Sequence, residues 1–338
     1  MATRLIHVSD LYHPHADPDD HMDLAQVYAL AKAGRVDLIN VLVDHTRRPD
    51  FGPPAQVALR QLEALTGVRA ELIPGADTEA FVGRPNLWRS AEPGRVRAAQ
   101  AILDALAASR EKTFITIVGG CLDTAIALSR DPELFRERCA GIALNAGSTV
   151  CDADVQEYNV TLGQLEYASI FRAPCPVYWC PCARSMRSMD METWRGPHAT
   201  YYRFRQSEMF ERIGDGLTNY FLYMLERSAD PDPIGALNRK PDPALVAKWG
   251  AEDRGMWSTG SIFAAAGLSV TASGALSEGR AADAVFEYIP IRVRCADDGT
   301  TEWTEDASST DRFLCHIPDP ARYESAMTKA LFDTLATL

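Results

Sequence analysis

A run of carboxylates and histidines near the start of the chain carries the residues best suited to chemistry. The segment 9–24, SDLYHPHADPDDHMDL, contains the acids Asp10, Asp17, Asp19, Asp20 and Asp23 and the histidines His13, His15 and His21. Carboxylates packed this closely repel one another. A divalent cation relieves that repulsion, and hard cations such as Ca²⁺ or Mg²⁺ prefer carboxylate oxygens. The segment therefore predicts a pocket that binds a cation.

Two other interpretations of the same segment stay open. An aspartate before a helix is favoured by the free N–H groups and by the helix dipole. Capping accounts for one or two of the acids, but not for all of them. The histidines between the acids suit zinc or iron, since imidazole is a good ligand for both metals.

The elements that would position these acids alternate between strand and helix. Apolar runs typical of strands lie at 4–10, 37–45, 69–76, 113–120, 140–148 and 176–180. Helical patterns lie between them at 21–34, 53–67, 95–110, 121–139 and 160–173. This alternation predicts an α/β fold with a mainly parallel central sheet and helices on both faces. Ligands of such sheets bind beyond the carboxyl ends of the strands, where Asp10 falls.

The rest of the chain predicts a segment that covers this pocket, followed by the last strands and helices of the fold. Residues 77–93 read as a surface loop, and residues 184–256 as a mostly helical covering segment. A helix at 261–270 and one or two strands at 284–295 follow, and a final helix closes the chain. Because α/β folds often reach this length as one unit, we expect residues 1–338 to form a single domain.

Composition excludes some partners. The formal net charge is -12, and 46% of the residues are hydrophobic. A surface this acidic repels phosphate backbones and anionic lipids, so nucleic acids and membranes are poor partners. The chain has no apolar run long enough to span a bilayer and no pattern of a signal peptide, so we expect a cytoplasmic protein.

The eight cysteines of the chain indicate thiols rather than a metal site. Cys175, Cys180 and Cys182 lie close together, but C-P-C without a second pair is a weak zinc motif. In a reducing compartment, buried free thiols are the simpler interpretation.

The D-P-D-D segment at 17–20, after a strand that ends in Asp10, resembles the nucleoside hydrolases, whose fingerprint is D-x-D-P-G-x-D-D. Segments 52–76, 115–148 and 155–179 resemble further blocks of that family in chain order. The resemblance is continuous over roughly 4–180 and afterwards is confined to one short segment near 257. It looks closest to a hydrolase-like branch with a D-P-D-D core.

The resemblance implies an activity, a cofactor and a substrate. Members of the family hydrolyse the N-glycosidic bond of ribonucleosides. A bound Ca²⁺ orients a water and grips the ribose hydroxyls, and an aspartate takes the proton of that water. For this chain the resemblance implies a small nucleoside or ribosyl substrate, a calcium cofactor, and a homodimer or homotetramer.

The residues can be matched by position. Asp10 matches the strand-end aspartate that binds metal and acts as base. Asp19 and Asp20 match the family's aspartate pair, of which one contacts sugar and the other chelates metal. Because the loop after Asp10 is longer than the fingerprint allows, Asp17 is an alternative for the role of Asp10.

Other matches complete the implied site. Asp123 falls where the family uses a backbone carbonyl as a metal ligand. Glu157 and Asn159 match an E-x-N pair that binds sugar hydroxyls, and Asn145 lies in a nearby strand-end loop. The candidate catalytic residues are Asp10 and Asp19, the candidate substrate-binding residues are Asn145, Glu157, Asn159, Trp257, His13 and His15, and the candidate metal ligands are Asp10, Asp20, Asp123 and Ser258.

Two positions depart from the family pattern. Where the family has His-Asp, this chain has Trp257 and Ser258. The change removes an acid for the departing base and one carboxylate ligand, which weakens calcium binding. Trp257 either stacks on a base or sugar or is part of the core. After the second strand, Asp44 and His45 replace a glycine- and asparagine-bearing turn.

Three functions are consistent with these residues. The first is a metal-assisted hydrolase of a ribosyl N-glycoside, favoured by the D-P-D-D loop and the E-x-N pair. The second is a divergent enzyme on the same scaffold with an altered metal or substrate, favoured by Trp257, Ser258 and the extra histidines. The third is a non-catalytic sugar- or nucleoside-binding protein.

Overall fold

A computed structural model describes residues 2–13, 18–45, 52–151 and 154–338 of the chain. Strands and helices alternate along most of it. The strands are β1 (Thr3–Ser9), β2 (Val36–Val43), β3 (Glu71–Pro74), β4 (Thr113–Ile117), β5 (Cys139–Leu144), β6 (Val177–Trp179), β7 (Tyr202–Arg205), β8 (Asp253–Met256), β9 (Leu268–Val270), β10 (Leu276–Glu278), β11 (Glu287–Cys295), β12 (Thr301–Glu305) and β13 (Arg312–His316).

The helices fall mainly between the strands of the central sheet. They are α1 (Pro18–Lys32), α2 (Gln56–Thr66), α3 (Thr78–Phe81), α4 (Pro85–Trp88), α5 (Arg97–Ala107), α6 (Leu122–Arg130), α7 (Pro132–Arg138), α8 (Tyr158–Thr161), α9 (Gln164–Ile170), α10 (Gln206–Phe210), α11 (Asp215–Leu225), α12 (Pro233–Ala236), α13 (Pro243–Gly250), α14 (Thr259–Ala265) and α15 (Pro320–Leu335). Short 3₁₀ turns lie at Pro93–Arg95 and Met191–Trp194.

The central sheet has nine strands in the order β12-β11-β13-β6-β5-β4-β1-β2-β3. The strands from β3 to β13 pair in parallel, whereas β11 pairs antiparallel with both β13 and β12. The prediction of a mainly parallel sheet is confirmed. The pairs β7–β8 and β9–β10 form two small antiparallel sheets outside it.

Both faces of the sheet are covered, which explains why its strands are apolar along their whole length. Successive side chains of a strand point to opposite faces. In β1, Leu5 belongs to a core with α1, α11, α14 and α15, while Ile6 and Val8 belong to a second core with α5, α6 and α9. The helices therefore lie on both sides of the sheet, as the alternating pattern predicts.

The order of the strands reverses between β1 and β4. From β1 the chain continues to β2 and β3 on one side, and from β4 it continues to β5 and β6 on the other. In open α/β sheets a crevice forms at such a reversal, beyond the carboxyl ends of the strands. Asp10 follows β1, Gly119 follows β4 and Asn145 follows β5. The topology thus brings these three positions to one edge of the sheet.

Three segments differ from the elements that periodicity predicts. Residues 77–93 contain α3 and α4, which bury Phe81 and Trp88 rather than forming an open loop. The polar stretch after β11 includes the strand β12, and β13 inserts between β11 and β6. Short polar strands carry a weak pattern, and their place in a sheet depends on partners distant in sequence.

The covering segment 184–256 contains α10 to α13 and the strands β7 and β8. The pairing of β7 with β8 joins its two ends, with Tyr202 opposite Met256. That ladder places Trp257 and Ser258 directly after β8. None of the helices in the described residues is long and apolar enough to cross a membrane.

A test of the sheet uses Gly141 in β5. A β-carbon there would lie 2.7 Å from Cε2 of Tyr178 and 3.0 Å from Cε2 of Phe114, two rings that already contact each other. We expect Gly141→Ala to lower the free energy of unfolding by about 1–3 kcal/mol, because the methyl group overpacks the sheet. Urea unfolding measures the change.

The matched control is Gly94→Ala, since a β-carbon at Gly94 meets no atom within 4 Å. We expect it to change the stability by less than about 0.5 kcal/mol. Equal stability of Gly141→Ala and Gly94→Ala would mean that the two rings move apart at little cost.

Candidate active site

A pocket opens at the carboxyl edge of the sheet, where the strand order reverses. The cavity has a volume of about 200 Å³ and is partly open to solvent. The residues that line it are Asp10, Asp19, Asp20, Val118, Asn145, Glu157, Tyr158, Asn159, Cys182, Ala183, Met186, Trp194, Trp257 and Ser258. Eight of these residues are predicted by the sequence.

The base of the pocket contains a pair of carboxyl groups in contact. Asp20, in the first turn of α1, is 4% exposed, and its Oδ1 accepts from the Ser9 hydroxyl and, at 3.3 Å, from the backbone N–H of Asp10. The Asp10 carboxyl also hydrogen-bonds to the Asp20 carboxyl. Burial raises the pKa of Asp20 to about 7, and the charge of Asp19 adds to the rise. The raised pKa favours protonation of Asp20 in the absence of a cation that offsets the charge.

The lining is acidic throughout. It includes four carboxyl side chains, from Asp10, Asp19, Asp20 and Glu157, and none of its residues in the described part of the chain is Lys, Arg or His. No cationic side chain of the lining offsets these charges. The site consequently favours cations and neutral polyols over anions.

The E-x-N pair stands on the opposite wall. Glu157 caps the short helix α8, and its two carboxylate oxygens accept from the backbone N–H groups of Asn159, at 3.0 Å, and Gly147, at 2.8 Å. Burial raises the pKa of Glu157, and these hydrogen bonds oppose the rise. The side-chain amide of Asn159 donates to the carbonyls of Val118, at 2.9 Å, and Asn145, at 3.1 Å. The pair is thus oriented by the backbone before any ligand binds.

Asn145 connects this wall to the segment after β8. Its amide nitrogen donates to the Trp257 carbonyl at 3.3 Å and to the Cys180 carbonyl at 3.4 Å, and its oxygen accepts from the Ser261 hydroxyl. These contacts occupy its amide group from both sides. Although Asn145 lines the pocket, its side-chain hydrogen bonds position Trp257 and Ser261.

Aromatic rings form the mouth. Trp257 is half-buried, and its ring lies 5.4 Å from that of Tyr201 and 6.4 Å from that of Trp194, measured between centroids. Trp194 and Trp257 both line the pocket. Trp257 belongs to neither hydrophobic core and borders the cavity, so its contact with a base or sugar stays a prediction.

Ser258 lies at the position where the family pattern has an aspartate. Its hydroxyl donates to Oδ2 of Asp23, a buried acid one turn along α1 from Asp20. Burial raises the pKa of Asp23, and the negative charge of Asp20 contributes to the rise. Asp23 does not itself line the pocket, so it contacts the site through Ser258.

Asp123 lies apart from the other candidate metal ligands. Its side chain lines a separate cavity with Asp44, and its Oδ1 accepts from the backbone N–H of Ala76 at 3.1 Å. Asp44 accepts from the N–H of Gly120. Burial raises the pKa of Asp123 to about 6. Asp44 and Asp123 link the ends of β2, β3 and β4. The side chain of Asp123 does not line the pocket that contains Asp10 and Asp20.

His13 is exposed and is not among the described residues that line the pocket. His15, and Asp17 as the alternative to Asp10, lie outside the described residues. All eight cysteines are free thiols, and every one except Cys151 is buried, as the sequence predicts; Cys182 borders the pocket.

Sequence reasoning missed several lining residues. Trp194 and Met186 come from the covering segment, where no motif marks them, and Tyr158 stands inside the E-x-N motif as its unassigned middle residue. Asp23 was visible as one of five clustered acids, but its contact with Ser258 spans 235 positions of sequence. Only the packing of α1 against the start of α14 reveals it.

The donors fit a hard cation in chemistry, but they do not form a complete set of ligands. The acids at the base and the Ser258 hydroxyl offer oxygen, the donor atom that Ca²⁺ and Mg²⁺ prefer. Among the residues that the structure describes, however, no group of three or more His, Cys, Asp or Glu side chains is arranged to hold a metal ion. Calcium at this site remains a prediction.

The role of Asn145 can be tested by Asn145→Ala. The substitution removes the amide that donates to two carbonyl groups and the oxygen that accepts from a buried hydroxyl. We therefore expect the free energy of unfolding to fall by about 1–3 kcal/mol. Urea unfolding and tryptophan fluorescence measure the loss. The control is Asn219→Ala, which removes one exposed hydrogen bond of 2.7 Å to the Arg239 carbonyl. If both variants lose equally little, Asn145 does not fix this wall.

Comparison of the sequence gives no relative. No family model matches the chain, and no curated protein matches it.

Comparison of the structure gives matches over almost the whole chain. A plant nucleoside hydrolase has a TM-score of 0.56 at 14% identity and covers 98% of this chain and 99% of its own. The purine-preferring ribonucleoside hydrolase of Gardnerella vaginalis has a TM-score of 0.53 at 13% identity and covers 99% and 100%.

The type III effector protein XopQ, in complex with adenosine diphosphate ribose, has a TM-score of 0.52 at 14% identity and covers 99% and 95%. Identities this low carry the fold and not the activity. The chain has the fold of the nucleoside hydrolases.

Proposed function

We propose that the protein hydrolyses the N-glycosidic bond of a ribonucleoside or a related ribosyl compound, with a water activated by the acids of the pocket and a divalent cation. The observation that carries the proposal is that Asp10, Asp19 and Asp20 line one pocket together with Glu157 and Asn159. Solved structures with this fold include ribonucleoside hydrolases and an effector bound to adenosine diphosphate ribose. The two lines of support are independent, because the pocket is identified without the comparisons.

The acids at the base fit the attack of water. Asp10 directly follows β1, and its carboxyl hydrogen-bonds to that of Asp20, which orients it. As a carboxylate it accepts the proton of a water that attacks the anomeric carbon. A bound cation would lower the pKa of that water. Asp10 and Asp20 are the residues that would hold the cation, with Ser258 beside them.

The walls fit the two halves of a ribosyl compound. Asp19, Glu157 and Asn159 offer carboxylate and amide groups for the sugar hydroxyls. The rings of Trp194 and Trp257 offer flat apolar faces for an aromatic base. Cleavage of the bond between sugar and base develops positive charge on the sugar. The four carboxyl groups of the pocket stabilise that charge.

A second candidate function is a ribosyl-binding protein without turnover. It is favoured by Trp257, which stands where the family has the histidine that serves the leaving base. The described lining residues include no histidine to take its place. Binding of a nucleoside measured by calorimetry, without release of ribose, would support this candidate.

Activity is tested with a panel of purine and pyrimidine nucleosides, with release of reducing sugar as the readout. We expect Asp10→Ala and Asp20→Ala to lower kcat/KM by about 10²- to 10⁴-fold, since each removes a group of the proposed water-activating site. Circular dichroism should show an intact fold. Asp104→Asn, an exposed acid on α5, is the control and should keep full activity. Full turnover in either alanine variant would remove that residue from the mechanism.

The cofactor is tested by elemental analysis of the purified protein before and after chelation. We expect about one Ca²⁺ per chain and loss of hydrolysis on its removal, restored by added calcium. Zinc or iron would point to the histidines and a different chemistry. Absence of any metal, with activity retained, would leave a metal-free enzyme.

A further inference from the structure

A third ring supports the two tryptophans at the mouth of the pocket, and the three rings Trp194, Tyr201 and Trp257 form an aromatic wall. Tyr201 is 2% exposed, and its ring centroid lies 5.8 Å from that of Trp194 and 5.4 Å from that of Trp257. A β-carbon at Gly255 would lie 3.0 Å from Cε2 of Tyr201 and 3.1 Å from Cη2 of Trp257, so both rings pack tightly against β8. Trp194 and Trp257 line the pocket, whereas Tyr201 does not. The position of the two lining rings therefore depends on the position of Tyr201.

Arg195 packs on the buried ring of the aromatic wall. Its Cζ lies 5.3 Å from the ring centroid of Tyr201. A guanidinium over an aromatic face at this distance is attracted by the negative face of the ring. Arg195 directly follows the 3₁₀ turn Met191–Trp194, so one short segment carries both this cation and a tryptophan of the mouth. The groups that hold the guanidinium in place thus also hold the aromatic wall.

Two carboxylates hold the guanidinium of Arg195. Its Nη2 lies 2.5 Å from Oε2 of Glu324 on α15, and its Nε lies 3.0 Å from Oε2 of Glu192 in the turn. Arg203 on β7 completes the network, since its Nη2 lies 3.1 Å from Oε1 of Glu192 and its backbone N–H donates to Glu324 at 3.0 Å. Isolated surface ion pairs contribute little, whereas several charges that share partners fix a geometry. The bond to Glu324 ties the covering segment to the final helix.

We propose that Arg195 is a positioning residue for the base of the ligand: it holds the aromatic wall, through Tyr201, where the two tryptophans contact that base. The inference rests on the proposed function in one respect, namely that the ligand is a ribosyl compound with an aromatic base. It applies both to hydrolysis and to binding without turnover. Affinity for the base thus depends on a network of charges outside the pocket.

The network orders the aromatic wall before the ligand binds. Half-buried side chains such as those of Trp194 and Trp257 lose rotamer freedom on binding unless their neighbours already fix them. Arg195 provides that constraint without contacting the ligand. The residues proposed to contact the sugar, among them Glu157 and Asn159, are not members of the network. Loosening the aromatic wall therefore weakens the contacts of the base and leaves those of the sugar in place.

The test is Arg195→Gln, which removes the charge and the planar fork of donors but keeps a polar side chain. The readout is the KM of a nucleoside that the wild type hydrolyses, or its dissociation constant from calorimetry if the wild type binds it without turnover. We expect this constant to rise by about 5- to 20-fold, toward the low end of what a base stacked on aromatic rings contributes. Where there is turnover, kcat should fall far less than KM rises, because the base is held alike in the ground state and the transition state.

Two further readouts separate positioning from a general disturbance of the fold. The competition constant of ribose, which has no base, should stay that of the wild type. High concentrations of sodium chloride should weaken nucleoside binding more in the wild type than in Arg195→Gln, because salt screens the network that the variant no longer has.

The matched control is Arg212→Gln. Arg212 also lies over an aromatic ring, with its Cζ 5.7 Å from the centroid of Phe332, and it pairs with Asp333 at 3.4 Å, but it does not line the pocket. We expect its nucleoside and ribose constants to equal those of the wild type. A second variant, Glu324→Gln, weakens the network from α15 without altering the turn. It should raise the nucleoside constant in the same direction, and it decides the question if Arg195→Gln fails to fold.

A higher nucleoside constant in Arg195→Gln with unchanged ribose binding supports the inference. Unchanged nucleoside binding, an equal loss for nucleoside and ribose, or the same loss in Arg212→Gln overturns it, as does a wild type that binds no nucleoside. The proposed function is judged separately by release of ribose. A protein that binds nucleosides without hydrolysis loses that function and keeps the inference, whereas one that hydrolyses them with a normal KM in Arg195→Gln keeps the function and loses the inference.

Discussion

The electrostatic cost of burying carboxylates at one edge of the sheet constrains the rest of this structure. Asp10, Asp20 and Asp23 are almost fully buried within two elements that meet at the strand reversal, and no cationic side chain lines the pocket among the described residues. Proteins tolerate such groups only when hydrogen bonds, shared protons or bound cations compensate them. The surrounding backbone provides the first kind of compensation, since the Asp10 N–H donates to Asp20.

The compensation depends on a close approach of strand ends. A β-carbon at Gly119 would lie 2.8 Å from Oδ2 of Asp44 and 2.9 Å from the backbone nitrogen of Asp10. Only glycine allows the chain after β4 to pass between these groups. The N–H of Gly120 then reaches Asp44. The same turn that neutralises one acid therefore brings the end of β4 against the end of β1, where the pocket begins.

The elements that neighbouring residues encode could be predicted from the sequence. Those that depend on contacts between distant segments could not. The strand that ends in Asp10 and the helix that begins at Asp19 are encoded locally, since apolar runs and acids at helix starts are properties of neighbouring residues. The position of Glu157 and Asn159 in the pocket followed from a motif. Trp194 carries no such motif, and β13 is short and joins the sheet only through strands distant in sequence. Such features depend on tertiary packing, which periodicity does not record.

The departure at Ser258 shows how a site can change without losing its charge balance. An aspartate there would place a carboxylate against Asp23, and two buried acids in contact are strongly unfavourable unless they share a proton. Serine removes that conflict and also gives Asp23 a hydrogen-bond donor. The acid on α1 and the serine before α14 therefore depend on each other: a change at either position alters the cost of keeping the other buried.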